Sequence, residues 1–245
     1  MDSGYYAACS ALVSRTQALD TIANNLANAS TVGFRGERNV FSTVLADTNG
    51  DAASDLNKII NSFGILSGTA MDVSQGAMQK TGNDLDLGIE GKGYFVVQTS
   101  AGDAYTRNGA FQLSSKGQLV TSSGDAVLGE SGPITLPPGK VSISSDGTIS
   151  VNGAVSGKVK VVEFPATTQL TNIGNTYYTA PKGTDEAATH SSVRQGMLES
   201  SNVNPITGMV ELVNAQRSTE MMQRALNMFN SEIDKTATQD LPKVG

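Results

Sequence analysis

This sequence of 245 residues has no tryptophan, one cysteine and one histidine. The lone cysteine, Cys9, excludes a disulfide framework within one chain. The lone histidine, His190, leaves little scope for Ser-His-Asp or Cys-His catalysis, and no G-x-S-x-G motif accompanies it. No stretch approaches the roughly 18 consecutive apolar residues of a membrane span, and the first residues lack a basic and an apolar signal region. We therefore expect no membrane span and no cleaved signal peptide.

Charged residues are scarce as well, at 16% of the chain, and the net charge is −6 without a run of Lys or Arg. Such a field repels phosphate backbones, so we predict no nucleic-acid partner. The chain has 26 glycines and 38% apolar residues, which is enough for a core in a turn-rich protein. This composition is typical of extracellular β-proteins and filament subunits.

Both ends of the chain carry the heptad spacing of helices that pair. The N-terminal heptad positions are Tyr5, Leu12, Leu19 and Leu26, with Ala8, Arg15 and Ile22 three places later. The C-terminal heptad positions are Leu212, Thr219, Leu226 and Ile233, with Ala215, Met222 and Phe229 three places later. The pattern predicts helices from about Ser3 to Asn28 and from Pro205 to about Gln239, the second capped by Asn204. Pairing within one monomer and pairing between subunits both remain open from the spacing alone.

The middle of the chain has the short β-branched and aromatic runs of strands. The predicted strands are Tyr94–Val97, Gln118–Val120, Val141–Ile143, Thr148–Val151 and Val159–Val162. The dipeptides Asn108-Gly109, Asp146-Gly147 and Asn152-Gly153 predict three type I′ hairpin turns and hence an antiparallel sheet. The predicted fold is α+β: a discontinuous N- and C-terminal helical coiled-coil domain with a central all-β, antiparallel, Gly-rich domain.

The predicted domain boundaries follow from these patterns. Residues 1–35 form the N-terminal helix and a turn, and residues 36–75 form a linker or hinge. Residues 76–195 form the β domain, and residues 196–245 form the C-terminal helix that pairs with the first. Within the linker, Ala46–Asp55 is almost wholly polar, and the apolar residues between 59 and 66 fit neither period, so helix and strand stay open there.

Motifs for chemistry are few. Asp84 and Asp86 alternate with leucines, which favours a strand with one solvent-exposed face over a catalytic pair or a calcium contact. Gly88–Gly93 fails the dinucleotide-binding pattern and precedes a strand, so it predicts a turn. The methionines of the C-terminal helix favour adaptable packing over a binding groove. We expect no enzyme activity, no catalytic residue, no cofactor and no metal, and we expect His190 to be an ordinary surface residue.

The segment LDTIANNLANASTVGFR, from Leu19 to Arg35, resembles the N-terminal signature of the bacterial flagellar basal-body rod family. The blocks SNVN, ELV and AQR, between Ser201 and Arg217, resemble the C-terminal motif of that family. The stretches GNDLDL, GKGYFVV and YTRNGAF resemble its core, so the similarity covers effectively the whole chain. One departure is Thr219, which stands where the family usually has an aromatic residue.

The resemblance implies a structural subunit of the rod, the tubular drive shaft that transmits torque from motor to hook. It implies terminal helices in the inner wall of the tube, a β-body outside them, and an open helical filament. The implied partners are other rod subunits, including copies of itself and neighbouring axial proteins, and the flagellar type III export apparatus. The implied location is the basal body, in the rod that spans the periplasm, after export without a cleaved signal peptide.

Two alternatives stay open. Ala46–Asp55 lacks the longer Q-P-G-type insertion typical of distal rod proteins, which favours the proximal-rod type over a distal-rod or hook-type subunit of the same axial family. From a different class, the chain would be a secreted β-domain that binds a ligand and dimerises through a helical stalk. The candidate assembly residues are Leu12, Leu19, Ile22, Asn24, Asn25, Leu26, Asn28, Leu212, Arg217, Met222, Leu226 and Phe229.

Overall fold

The computed structural model describes residues 2–42, 65–165 and 167–239. These residues form two long helices, α1 (Asp2–Ala27) and α2 (Pro205–Gln239). The strands are β1 (Glu37–Ser42), β2 (Ile65–Met71), β3 (Met78–Lys80), β4 (Leu87–Glu90), β5 (Tyr94–Thr99), β6 (Gly102–Thr106), β7 (Gln112–Leu113), β8 (Leu119–Val120), β9 (Ala126–Gly129), β10 (Gly132–Pro133), β11 (Val141–Ile143), β12 (Thr148–Val151), β13 (Ala154–Lys158), β14 (Val161–Glu163), β15 (Thr171–Gly174), β16 (Tyr177–Thr179), β17 (Glu186–Ala187), β18 (Ser192–Gln195) and β19 (Met197–Glu199). The predicted α+β class, with terminal helices and a central antiparallel β region, is confirmed.

Contacts divide the chain into two compact units. The helical unit contains α1, α2, β1 and most of β2. The β unit contains Asn28–Gly36 and Met71–Val203. The turn that follows α1 therefore groups with the β unit, although it is continuous in sequence with the helix. Most of the predicted linker, residues 43–64, lies outside the described residues.

In the helical unit, α1 and α2 pack against each other. Leu26 near the end of α1 lies beside Gly208 near the start of α2, with 3.7 Å between the leucine Cδ1 and the position of a Cβ on the glycine. The helices are therefore antiparallel. Thr219 and Arg15 are each eleven residues from this contact, or about 16 Å along the two axes. Thr219 thus lies level with Arg15 and its neighbours on α1.

Small side chains occupy the centre of this helix contact. Ser14 and Ala18 are the buried side chains described on α1, and Thr219 is buried on α2. The flanking heptad residues Leu19 and Met222 are half-buried. The buried Thr219 thus lies at the level of the buried Ser14 and Ala18, so small side chains meet at this level of the helix pair.

The start of α2 is capped as predicted. The side-chain oxygen of Asn204 accepts hydrogen bonds from the backbone N–H groups of Ile206 and Thr207, at 3.0 and 3.3 Å. Pro205 occupies the first helical position, where its missing N–H is not needed. Helix α2 begins and ends at the predicted residues. Helix α1 ends one residue before its predicted end.

The β unit is built around a ten-stranded antiparallel sheet. Its main path runs β15-β16-β6-β5-β9-β8-β7, with β14 also paired to β5 and β17, and β10 paired to β9. Smaller pairings join β11-β12-β13, β18-β4 and β19-β3. Strand β5 is buried on both faces, with Phe95 and Val97 in the larger apolar cluster and Tyr94 and Val96 in the smaller one. Two-sided burial explains why this strand is a continuous apolar run.

Only one of the three predicted type I′ turns is present. Asn152 and Gly153 have positive φ values of 51° and 86° and join β12 to β13. The Asp146-Gly147 prediction is wrong, because only the glycine has positive φ and the loop is one of four residues, with a hydrogen bond from the N–H of Gly147 to the carbonyl of Ser144. The Asn108-Gly109 prediction is also wrong. Gly109 is instead required by a close backbone approach, since a Cβ there would lie within bonding distance of the Leu87 carbonyl.

A further tight turn was not predicted. Asn175 and Thr176 have positive φ values of 52° and 61° and join β15 to β16. A β-branched residue rarely adopts this conformation. The hydroxyl of Thr106 donates a buried hydrogen bond of 2.9 Å to the Thr176 carbonyl, which fixes this peptide in the β unit.

The strand predicted around Asp84 and Asp86 is wrong, because the sequence from Asn83 to Leu85 forms a turn and β4 begins at Leu87. Asp86 is buried and accepts hydrogen bonds from Thr81 Oγ1 at 2.6 Å and Asn83 Nδ2 at 3.1 Å. It therefore closes this turn. The prediction that His190 is a surface residue is confirmed, since its side chain is exposed.

We expect Phe95→Ala to lower the free energy of unfolding by about 3–5 kcal/mol. Phe95 is fully buried and its ring packs edge-to-face on Phe111, with 5.1 Å between centroids. The matched control is Val155→Ala on an exposed strand position, where we expect a change within about 0.5 kcal/mol. Urea unfolding measures both, and equal effects would contradict the placement of the core.

Candidate assembly site

The segment after α1 forms a tight turn at the sequence ASTVGFR. The N–H of Thr31 donates to the Asn28 carbonyl at 3.0 Å, and the hydroxyl of Thr31 donates to the Asn28 side chain at 3.2 Å. Gly33 follows with a φ of +68°. A Cβ at this glycine would overlap the backbone nitrogen of Asn108. The turn therefore requires glycine both for its conformation and for its contact.

Backbone hydrogen bonds tie this turn to distant parts of the β unit. The N–H of Gly33 donates to the carbonyl of Glu199 at 2.8 Å. The N–H of Arg35 donates to the hydroxyl of Tyr178 at 3.1 Å, and the N–H of Gly36 donates to the side-chain oxygen of Asn202 at 2.8 Å. The signature turn thus docks on the last strand of the β unit and on the SNVN block.

A buried ion cluster lies behind the turn. Arg35 Nη2 lies 2.7 Å from Glu199 Oε1, and Arg107 Nη1 lies 3.1 Å from Glu199 Oε2. All three side chains are at most 2% exposed. The N–H of Gly76 also donates to Glu199 Oε1, at 2.9 Å. We call Arg35, Arg107 and Glu199 the anchor cluster.

The two arginines in the anchor cluster are held differently. Arg107 donates to the carbonyls of Ile89 and Gly91, at 3.3 and 2.6 Å, and its guanidinium carbon lies 4.9 Å from the centre of the Tyr94 ring. Arg35 meets Glu199 as an ion pair, while its Nε and Nη1 have no hydrogen-bond partner in the part of the chain that the structure describes. Arg35 therefore depends on Glu199 far more than Arg107 does.

The cluster has one carboxylate for two guanidinium groups. Burial lowers the pKa of Arg107, and the charge of Glu199 opposes this by raising it. Burial also raises the pKa of the Tyr94 hydroxyl, against the attraction of Arg107 and Arg35. An arginine stays protonated under all ordinary conditions, so the single carboxylate must compensate two buried cations.

The structure places the predicted residues of α1 on both its sides. Leu12, Leu19, Ile22 and Leu26 are half-buried, and Asn24 is exposed. Asn25 is half-buried, and its amide both donates to the carbonyl of Glu37 at 2.7 Å and accepts from the N–H of Glu37 at 2.9 Å. Asn25 therefore holds β1 against α1 within one subunit.

The remaining predicted residues fall into three groups. Leu212 and Met222 are half-buried on α2, and Arg217 is exposed. Asn28 belongs to the signature turn described above. The side chains of Leu226 and Phe229 lie outside the described residues.

Sequence reasoning did not identify the anchor cluster. In the sequence, Arg107 lies within the block YTRNGAF, and Glu199 lies two residues before the block SNVN. Arg107 and Glu199 are 92 residues apart in the sequence. A hydrophobic period along the chain cannot reveal a contact over that distance. The sequence feature that could have pointed to the anchor cluster is a charged residue within or next to each of three separate motifs.

We expect Glu199→Gln to destabilise the β unit by about 3–5 kcal/mol, because two buried cations lose their only carboxylate. The control is Glu90→Gln, which removes an exposed ion pair with Arg194 at 2.8 Å, where about 1 kcal/mol or less is at stake. Chemical denaturation followed by circular dichroism measures both. Similar losses of unfolding free energy for the two variants would show that the anchor cluster does not stabilise the β unit more than an exposed ion pair does.

We expect Gly33→Ala to destabilise by about 1–3 kcal/mol more than Gly82→Ala. Both glycines have positive φ, +68° and +77°, so both substitutions carry the same conformational strain. Only Gly33 also meets neighbouring backbone, whereas a Cβ at Gly82 enters open space. The difference in unfolding free energy between the two variants isolates the docking contact, and no difference would argue against it.

No helix among the described residues combines the length and the apolar character needed to cross a membrane. Three family descriptions match the chain: "Flagella basal body rod protein" over residues 6–35, "Flagellar hook protein FlgE/F/G D1 domain" over 88–151, and "Flagellar basal body rod FlgEFG protein C-terminal" over 194–239. The first match ends at Arg35, and the third includes Glu199. The partners of the anchor ion pair therefore come from the two terminal family regions.

Curated relatives match over nearly the whole chain. The flagellar basal-body rod protein FlgF of Caulobacter vibrioides is 34% identical, with 100% of both chains covered. FlgF of Mesorhizobium japonicum is 32% identical over 96% of both chains. The rod protein FlgG of Bacillus subtilis is 36% identical, with 86% of this chain and 92% of its own covered. The chain therefore belongs to the flagellar basal-body rod protein family.

Proposed function

We propose that this protein is a structural subunit of the proximal flagellar rod, of the FlgF type. The observation that carries the proposal is full-length similarity to FlgF combined with a helix pair made from both chain ends. The short Ala46–Asp55 segment supports the proximal type. A distal, FlgG-type subunit is the second candidate, favoured by the identity to FlgG relatives.

The function follows from the two units. The helical unit supplies surfaces that pack in the wall of a tube, in a coiled-coil manner between subunits. The β unit adds a folded domain to each subunit of the tube. Head-to-tail contacts between subunits that do not close into a ring extend the tube as an open filament. Such a shaft transmits torque from the motor to the hook, and no bond in any substrate is made or broken.

The predicted assembly residues divide between two roles in this proposal. Half-buried Leu12, Leu19 and Leu212 complete the helix pair of each subunit and leave part of their surface for a neighbour. Exposed Asn24 and Arg217 present surface that a neighbour can contact. The partners are copies of this chain and other axial proteins of the rod.

Delivery and location belong to the same proposal. The subunit leaves the cytoplasm through the flagellar export apparatus and takes its place in the rod that spans the periplasm. Helices in proteins gain most of their stability from packing. The terminal helices of the exported chain are therefore expected to become more stable on assembly.

We expect Leu19→Asp to abolish basal-body assembly and swimming, because it puts an unpaired charge at a half-buried heptad position of α1. The control is Val155→Asp, at an exposed position of the β unit, which should assemble normally. Electron microscopy of isolated basal bodies and a swimming assay measure the outcome. Normal motility of the Leu19→Asp strain would contradict the proposed role of the helices.

A further inference from the structure

The side of α2 that points away from α1 is also apolar. Helical geometry puts Ile206, Val210, Val213, Arg217 and Met221 on one side, opposite Gly208, Leu212, Ala215 and Thr219. The four apolar members of the first set are between 46% and 75% exposed. We call this first set the α2 outer face. A helix that packs on a single partner needs one apolar stripe, and α2 has two.

The exposed side of α1 has a complementary character. Its residues recur at spacings of three and four along the helix, and all are exposed: Val13, Thr16, Asp20, Ala23 and Ala27. We call them the α1 outer face. The two alanines leave a shallow surface that the larger Val210 and Val213 can cover. The α1 outer face carries one acidic residue, Asp20, and the α2 outer face carries one basic residue, Arg217.

Among the described residues, neither charge forms an ion pair within the subunit. Arg217 and Asp20 have no ion-pair partner in the described ranges, in contrast to Arg224, which pairs with Glu220 on its own helix. The direction of pairing follows from symmetry. Copies in one filament share an axial direction, and α1 is antiparallel to α2 in each copy, so α1 of one copy runs antiparallel to α2 of the next.

This alignment matches the two faces. With Asp20 opposite Arg217, the antiparallel direction brings Ala27 to Val210 and Thr16 to Met221, because each pair is equally far along the two helices. Ala23 then comes beside Val213. A single register therefore pairs Asp20 with Arg217 and covers the exposed Val210 and Val213.

We propose that the α2 outer face binds the α1 outer face of a second copy of this chain, antiparallel, with Asp20 against Arg217. The contact is heterologous, so each copy offers both faces and the interaction repeats along the assembly. The proposal rests on the proposed function in one respect, since the shared axial direction is that of subunits in a filament. It adds the faces, the register and the ion pair.

Disulfide trapping tests the register on purified full-length protein. In a Cys9→Ser background, Ala27→Cys combined with Val210→Cys should give a ladder of disulfide-linked dimers and larger species under mild oxidation at high protein concentration. The matched control combines Gln17→Cys with Val210→Cys, which the same register keeps about 15 Å apart. A ladder only in the first variant supports the register, and equal ladders or none in either overturn it.

Charge reversal tests the ion pair in cells. Asp20→Arg and Arg217→Asp should each reduce the number of completed basal bodies at least tenfold, and the double variant should restore at least half of them. Circular dichroism of the purified variants checks that the helical content is unchanged. Full assembly by either single variant, or no recovery in the double variant, overturns the proposal.

The two experiments separate the inference from the function on which it rests. A strain that lacks the gene should build no complete basal bodies until the wild-type gene is returned. If that strain builds them without the protein, the proposed function fails, and disulfide trapping alone decides whether copies pair by these faces. If complementation succeeds but the reversal pattern fails, the function stands and the inference falls.

Discussion

The carboxylate of Glu199, buried between the guanidinium groups of Arg35 and Arg107, is the contact on which the rest of the β unit depends. It joins the beginning, the middle and the end of the chain. Burying three charges costs desolvation energy that a well-packed apolar cluster would avoid. What the cluster provides is a single position for the signature turn, because a shifted turn would leave a buried cation without its partner.

The cluster also explains why a chain with two distant terminal helices keeps them together. The chain first enters the β unit in the turn that contains Gly33 and finally leaves it a few residues after Glu199, and the backbones of these two residues are directly hydrogen-bonded. The first entry into the β unit and the last exit from it are thus held together. A helix pair assembled from both termini follows from this constraint as much as from the heptad pattern.

The helices follow a second constraint in the proposed assembly, because each helix there contacts more than one neighbour. Their mutual contact uses the small residues Ser14, Ala18 and Thr219, which permit a close approach. Apolar side chains remain on the outer side of α2. In a monomer such an exposed apolar surface favours aggregation, and in the proposed filament it is the surface that binds the next copy.

The sequence alone predicts helices, caps and turns well where residues close together in the chain determine them. Helix limits, the Asn204 cap and the Asn152-Gly153 turn all depend on residues close in sequence. Asn108-Gly109 failed because a distant strand, not the local turn preference, requires its glycine. The anchor cluster could not be predicted, since its contacts join residues far apart in sequence. The heptad pattern gave the apolar period of the helices but not which side faces which partner.

The most direct test of the central claim is mass spectrometry of detergent-stripped hook and basal-body particles from the source cell, with this protein quantified against a hook subunit. The account predicts that the protein is enriched in these particles at a few copies each, as expected for a proximal rod subunit. A copy number in the tens would indicate the distal type. Absence of the protein from purified particles would contradict the account.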